Sequence, residues 1–114
     1  MSYIRRMLNL AAKISRLKKD DRQYFLGAVG ERSDGTCVFS YNGAPPEPCA
    51  EHHCEFRLSR KLDVLATVYL ARTGADGRWL NSRPCPPCQT RMKSVRVKKI
   101  YYTVGPQEYA CLTL

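Results

Sequence analysis

At 114 residues the chain is long enough for one domain (1–114) with a single modest core. A hydrophobic fraction of 44% against 25% charged residues is the balance of a soluble globular protein, and no apolar run approaches the roughly 18 residues of a membrane span. A net charge of +9 and six cysteines remain to be explained.

The opening stretch, MSYIRRMLNLAAKISRLKK, scatters charges through its apolar positions and has no small-residue cleavage site. It is not a secretory signal, so a cytoplasmic location is expected. In a reducing compartment the six cysteines point to metal binding or plain burial rather than to a disulfide framework. Residues 3–18 carry Ile4, Met7, Leu8, Ala11, Ile14 and Leu17 at steps of three and four, which predicts an amphipathic helix. QYFLGAV and TCVFSY are β-prone runs joined through Asp34-Gly35, a turn dipeptide, and read as a hairpin. NGAPPEP is a loop, because its prolines forbid regular structure.

From 49 to 62 the pattern is again helical, with Cys54, Leu58 and Leu62 on one stripe. VLATVYLA is an almost unbroken apolar run, expected of a central strand covered on both faces. RTGADGRWLNSR reads as a loop, followed by a helix opening at Pro84 and Cys85. VKKIYYTV is a strand, GPQ a turn and EYACLTL a last strand. The order α-β-β-α-β-α-β-β describes a mixed sheet with helices on its faces. Its last two strands are joined too briefly for a parallel crossover and must be antiparallel.

Positive charge collects in two acid-free segments. Residues 1–19 hold Arg5, Arg6, Lys13, Arg16, Lys18 and Lys19; residues 83–99 hold Arg83, Arg91, Lys93, Arg96, Lys98 and Lys99. Such segments fit either a phosphate-bearing partner or a solvated surface.

Cys85 and Cys88 lie three positions apart at a helix start, so both thiols face the same side, where the helix N-terminus favours negative charge. A redox dithiol and a zinc site both suit that placement. The other candidate ligands lie in PCAEHHCEFR, residues 48–57, where a carboxylate twice follows a ligand by two positions: His53-Cys54-Glu55 and Cys49-Ala50-Glu51. A ligand, a Glu two positions on, and P-C-x-x-C about thirty positions later match the zinc deaminase signature H-x-E…P-C-x-x-C. Three protein ligands leave one position for water, the mark of a catalytic site.

On these motifs the chain resembles the cytidine deaminase superfamily, over most of its length and in element order. It is similar to small single-domain members, including phage-encoded ones, that carry stretches like FRLSRKLD and KKIYYT. The resemblance implies an α/β, three-layer α-β-α fold with a five-stranded mixed sheet. It implies one Zn²⁺ bound by His53, Cys85 and Cys88, with Glu55 as catalytic acid and base. Asn42 would contact the sugar, and the carbonyl before Pro84 would meet the exocyclic amine.

The spacing from Asn42 to His53 is 11 positions and from Glu55 to Cys85 is 30, both like the family; Cys49 and Glu51 give 7 and 34. A His with two thiolates also leaves the site near neutral, whereas three thiolates make the metal a weaker Lewis acid. Against this, the family's common Ala between ligand and Glu stands at Ala50, so Cys49 with Glu51 stays open. The Glu that often follows the sugar-binding Asn by two positions is replaced by Ala44. Tyr41 and Trp79 are candidates for base stacking or for ordinary packing, and His52 has no role.

Antiparallel final strands resemble the free-nucleoside branch, whereas charge argues for phosphate. The expected substrate is a cytosine nucleoside or nucleotide converted to uracil. The alternatives are a deaminase of single-stranded nucleic acid, or a non-catalytic zinc-binding module for nucleic acid. The resemblance also implies a homo-oligomer, dimer or tetramer.

Overall fold

The strand with the most continuous apolar sequence lies at the centre of the sheet. In the computed structural model, which describes residues 2–17, 24–41 and 58–114, β1 (Tyr24–Glu31) and β2 (Cys37–Tyr41) form an antiparallel hairpin. Its turn is closed as the sequence predicts. The Asp34 carboxylate accepts the Thr36 N–H at 2.9 Å and hydroxyl at 2.7 Å, while Gly35 takes φ +90°, a value that favours glycine.

β3 (Thr67–Gly74) runs antiparallel to β1 and is buried along most of its length. β5 (Lys99–Gly105) pairs parallel with Thr67–Leu70, and β6 (Glu108–Thr113) returns antiparallel to β5. The sheet order is β2-β1-β3-β5-β6. This is the expected mixed α/β sheet with its last two strands antiparallel.

One strand is additional. Residues 72–83 were expected to be loop, yet β3 continues to Gly74 and turns at Asp76-Gly77. It comes back as β4 (Trp79–Leu80), pairing Thr73 with Trp79 and Arg72 with Leu80. Alternation in this segment is too short to read as a strand. The turn holds it, with the Asp76 carboxylate accepting the Arg78 N–H and the Gly77 N–H bonding the Gly74 carbonyl.

Period two sorts the strand residues between two cores. On one face Val29, Tyr69, Ala71 and Trp79 pack with Met7, Leu8, Ala11 and Ile14 of α1 (Tyr3–Ser15). On the other, Ala28, Val68, Leu70, Ile100 and Tyr102 pack with Leu58 and with Met92 of α2 (Pro86–Ser94). Each fully buried Leu, Ile or Met contributes roughly 1.5–3 kcal/mol. α1 approaches the sheet so closely that a Cβ at Gly27 would lie 2.2 Å from the Ala11 carbonyl oxygen, so no side chain fits there.

α1 stops three residues short of the predicted end. The Arg16 and Leu17 N–H groups bond back three residues, to Lys13 and Ile14, which tightens and closes the helix. Arg16 is then used to bond the end of β3, and Leu17 is exposed outside the apolar stripe. The helix predicted over 49–62 lies mostly outside the described residues. Leu58 and Ser59 are helical, and a turn follows at 60–61.

Candidate functional site

The sequence S-R-P-C-P-P-C, residues 82–88, sets the geometry ahead of α2. A residue before proline is forced out of the helical region. Cys85, which precedes Pro86, has φ −67° and ψ 160° and becomes the helix N-cap, with prolines filling the first helical positions. The helix therefore opens two residues later than its predicted start at Pro84. Cys85 makes no side-chain cap bond. Its sulfur lies 3.3 Å from that of Cys88, which is fully buried, while Cys85 is partly exposed.

Local hydrogen bonds hold this start in place. Gln89 donates its N–H to the Cys85 carbonyl at 2.9 Å and its side-chain amide to the Pro84 carbonyl at 2.8 Å. Behind it, Ser82 joins three strands. Its N–H bonds the Thr103 carbonyl at 2.8 Å, and its hydroxyl lies 3.1 Å from both the Leu70 and Thr103 carbonyl oxygens. The Thr103 hydroxyl donates to the Leu80 carbonyl at 2.6 Å and accepts from the Arg72 N–H at 3.2 Å. Arg83 reaches across to the Tyr102 hydroxyl at 2.9 Å and lies over that ring. On α2 itself, Arg91 donates to the buried Ser59 hydroxyl at 2.9 Å, tying the helix to the segment that ends in Leu58 and Ser59.

None of these supporting residues was picked out by motif. A buried Ser or Thr in an apolar run is a weak signal, and its partners come from strands far apart in sequence.

Of the candidate site residues, the structure brings together Cys85 and Cys88. His53 and Glu55, their alternatives Cys49 and Glu51, and Asn42 lie outside the described residues. Among the described residues no third His, Cys or carboxylate joins the cysteine pair. The pair suits a soft-ligand metal: two thiolates on a tetrahedral zinc, each at about 2.3 Å, stand about 3.8 Å apart, close to the separation seen here. Trp79 and Tyr41, considered for base stacking, instead pack with the α1 cluster on the opposite face of the sheet.

No protein-family model matches the chain, and no curated protein matches it. Solved structures do. A cytidine deaminase from Burkholderia pseudomallei superposes with a TM-score of 0.67 at 14% identity, over 99% of this chain and 93% of that one. A cytidine deaminase from Mycobacterium leprae gives 0.59 at 14% identity, over 97% and 94%. The chain therefore has the fold of cytidine deaminases.

Proposed function

We propose that the chain is a zinc-dependent hydrolytic deaminase that converts the cytosine of a free cytidine or deoxycytidine nucleoside or nucleotide to uracil. The observation that carries this reading is the convergence of the Cys85 and Cys88 sulfurs at the start of α2, on a sheet with the cytidine deaminase fold.

Cys85, Cys88 and His53 would hold the metal, with Cys49 the substitute for His53. Leu58 follows His53 by five positions and Glu55 by three. Leu58 shares a core with Met92 of α2, and Ser59 is bonded to Arg91; this connection to the cysteine helix supports the assignment. When bound, zinc supplies a Lewis acid that brings a water's pKa toward neutrality.

Glu55 is the proton carrier. As a carboxylate it accepts a proton from the attacking water, delivers it to the pyrimidine N3, and passes the next to the departing amine. Water adds at C4 and ammonia leaves. Asn42 binds the sugar, and the carbonyl before Pro84 accepts from the exocyclic amine. The turn of prolines around Cys85 keeps that carbonyl and both sulfurs on one rigid segment.

Two observations favour a small substrate. The β5–β6 pair is antiparallel, as in the free-nucleoside branch that the sequence resembles. Arg83 and Arg91, two of the six cations in the second basic segment, are engaged by Tyr102 and Ser59. A cytoplasmic homo-oligomer, dimer or tetramer, completes the proposal. Among the described residues no helix is long and apolar enough to cross a membrane.

The test is Glu55→Gln, assayed on cytidine, deoxycytidine, dCMP and a cytosine-containing oligonucleotide, with zinc content measured alongside. Zinc and thermal stability should be kept, while turnover falls by at least about 10²–10⁴-fold. If Glu51→Gln is dead and Glu55→Gln active, the site lies one helical turn earlier. A marked preference for the oligonucleotide would overturn the small-substrate reading. A zinc-loaded wild type inert on every cytosine substrate would leave a non-catalytic zinc module.

A further inference from the structure

The first basic segment plays no part in the proposed deaminase chemistry, and its described cations lie on α1, on the opposite face of the sheet from α2. Lys13 and Arg16, one turn apart near the end of α1, line a cleft of about 510 Å³ with Asn9, Arg78, Trp79 and Gln107. That size lies within the roughly 300–1,000 Å³ of small-ligand pockets. Among the described residues, the lining contains three cations and no carboxylate. Thr73, also in the wall, bonds Ser15 of α1, and Trp79 belongs to the α1 core. The cleft therefore opens on the α1 face of the sheet, whereas α2 packs on the other.

Its cations differ in how they are held. Arg16 is fixed: its guanidinium donates to the Gly74 carbonyl at 2.9 Å and the Ala75 carbonyl at 3.2 Å, and lies over the Phe25 ring. Lys13 and Arg78 are exposed. Among the described residues the acid beside Arg78 is Asp76, 3.9 Å from the guanidinium, but its carboxylate also accepts the Arg78 N–H at the tip of the β3–β4 turn. At the rim, Arg5 donates to the Gln107 carbonyl at 2.7 Å and so braces the β5–β6 turn against α1. A fixed guanidinium with two exposed cations, flanked by Asn9 and Gln107, is a recognition set for phosphate with an attached polar group.

We propose that this cleft between α1, the β3–β4 turn and the β5–β6 turn binds a phosphate-bearing small ligand of nucleotide size, at a site separate from the cysteine pair.

Trp79 is the only tryptophan in the chain and lies in the cleft wall, so its fluorescence is a local reporter. Zinc-loaded full-length protein is titrated with inorganic triphosphate, ATP, citrate and uridine, exciting at the red edge of indole absorption, with calorimetry in parallel. Triphosphate and ATP should give saturable changes in emission and heat that weaken as salt is raised; citrate and uridine should bind at least tenfold more weakly. Lys13→Glu and Arg78→Glu, both exposed sites, should each weaken triphosphate binding at least tenfold. Lys93→Glu on α2, the same change of charge on the other face, should leave it within twofold. Equal losses in all three variants would show bulk attraction only and overturn the site. So would citrate binding as tightly as triphosphate, or the absence of both heat and emission change.

Discussion

α1 and α2, on opposite faces of the sheet, are built on different principles. α1 is thirteen residues long, capped by the Ser2 hydroxyl, and buries Met7, Leu8, Ala11 and Ile14 along one stripe. α2 is nine residues long, opens on two prolines, and buries Cys88 and Met92. Its N-cap residue, Cys85, occupies a position where Ser, Thr, Asp or Asn would normally accept an N–H, and makes no cap bond. Its sulfur lies instead 3.3 Å from that of Cys88. α1 rests mainly on apolar area, with hydrogen bonds from Arg5 and Arg16 at its ends, whereas α2 buries only Cys88 and Met92 and is tied further by hydrogen bonds from Gln89 and Arg91. On the proposed reading, one layer supports the sheet and the other holds the metal.

Removing a group from each helix should separate the two roles most sharply. Cys88→Ser should lose the zinc and, with it, turnover down to background, while the metal-free protein changes little in stability. Leu8→Ala should do the reverse. Leu8 is fully buried, and its truncation should cost about 2–5 kcal/mol with one zinc retained per folded chain. Metal analysis and denaturant melts on both variants check the contrast. If Cys88→Ser keeps a full equivalent of zinc, α2 is a packing helix like α1.

The same contrast decides what could be read from sequence. α1, the β1–β2 hairpin and the central β3 follow from apolar period and a turn dipeptide, because burial imposes period on sequence. The antiparallel last pair followed from connection length alone. β4 could not be read, since two residues carry no period and the turn before it is closed by backbone bonds at Gly74 together with the Asp76 carboxylate. The end of α1 was misplaced because Leu17 continues the stripe in sequence, whereas Arg16 is drawn to the carbonyls at the end of β3. At the site, spacing identified the cysteine pair, which the structure brings to 3.3 Å. The start of its helix was placed two residues early because Pro84, Pro86 and Pro87 all satisfy a first-turn rule, and only Pro86 makes Cys85 the cap.

A smaller effect is expected from the polar knot that supports α2 from behind. Thr103 is fully buried, and its hydroxyl bonds the Leu80 carbonyl and the Arg72 N–H while lying 2.9 Å from the Ser82 hydroxyl. Thr103→Val keeps the shape and removes the oxygen, leaving buried groups without their partner at a cost of about 1–3 kcal/mol. Because Ser82 leads directly into Cys85, zinc affinity should fall with stability. Leu8→Ala, on the α1 side, should lower stability without that coupling. A Thr103→Val protein with unchanged zinc affinity would show that the knot serves the sheet alone.

The smallest effect belongs to the tie at the start of α1, and its signature is pH. The Tyr3 hydroxyl donates to the Glu31 carboxylate of β1. That bond, then burial, then the carboxylate's charge push the Tyr3 phenol up from 10.0 to about 12. A raised phenol favours the protonated folded form. Its contribution is therefore complete below about pH 10 and is lost as pH rises through about 12. Tyr3 is 51% exposed, so solvent screening keeps the contribution small. Comparing wild type with Tyr3→Phe in denaturant melts at pH 9, 10, 11 and 12 subtracts every titration that the two proteins share. The gap between the two proteins should be constant from pH 9 to 10, narrow through 11, and close near 12. No gap between the two proteins at any pH would mean that the Tyr3 ring, through its edge contact with Tyr69, anchors α1 by packing alone.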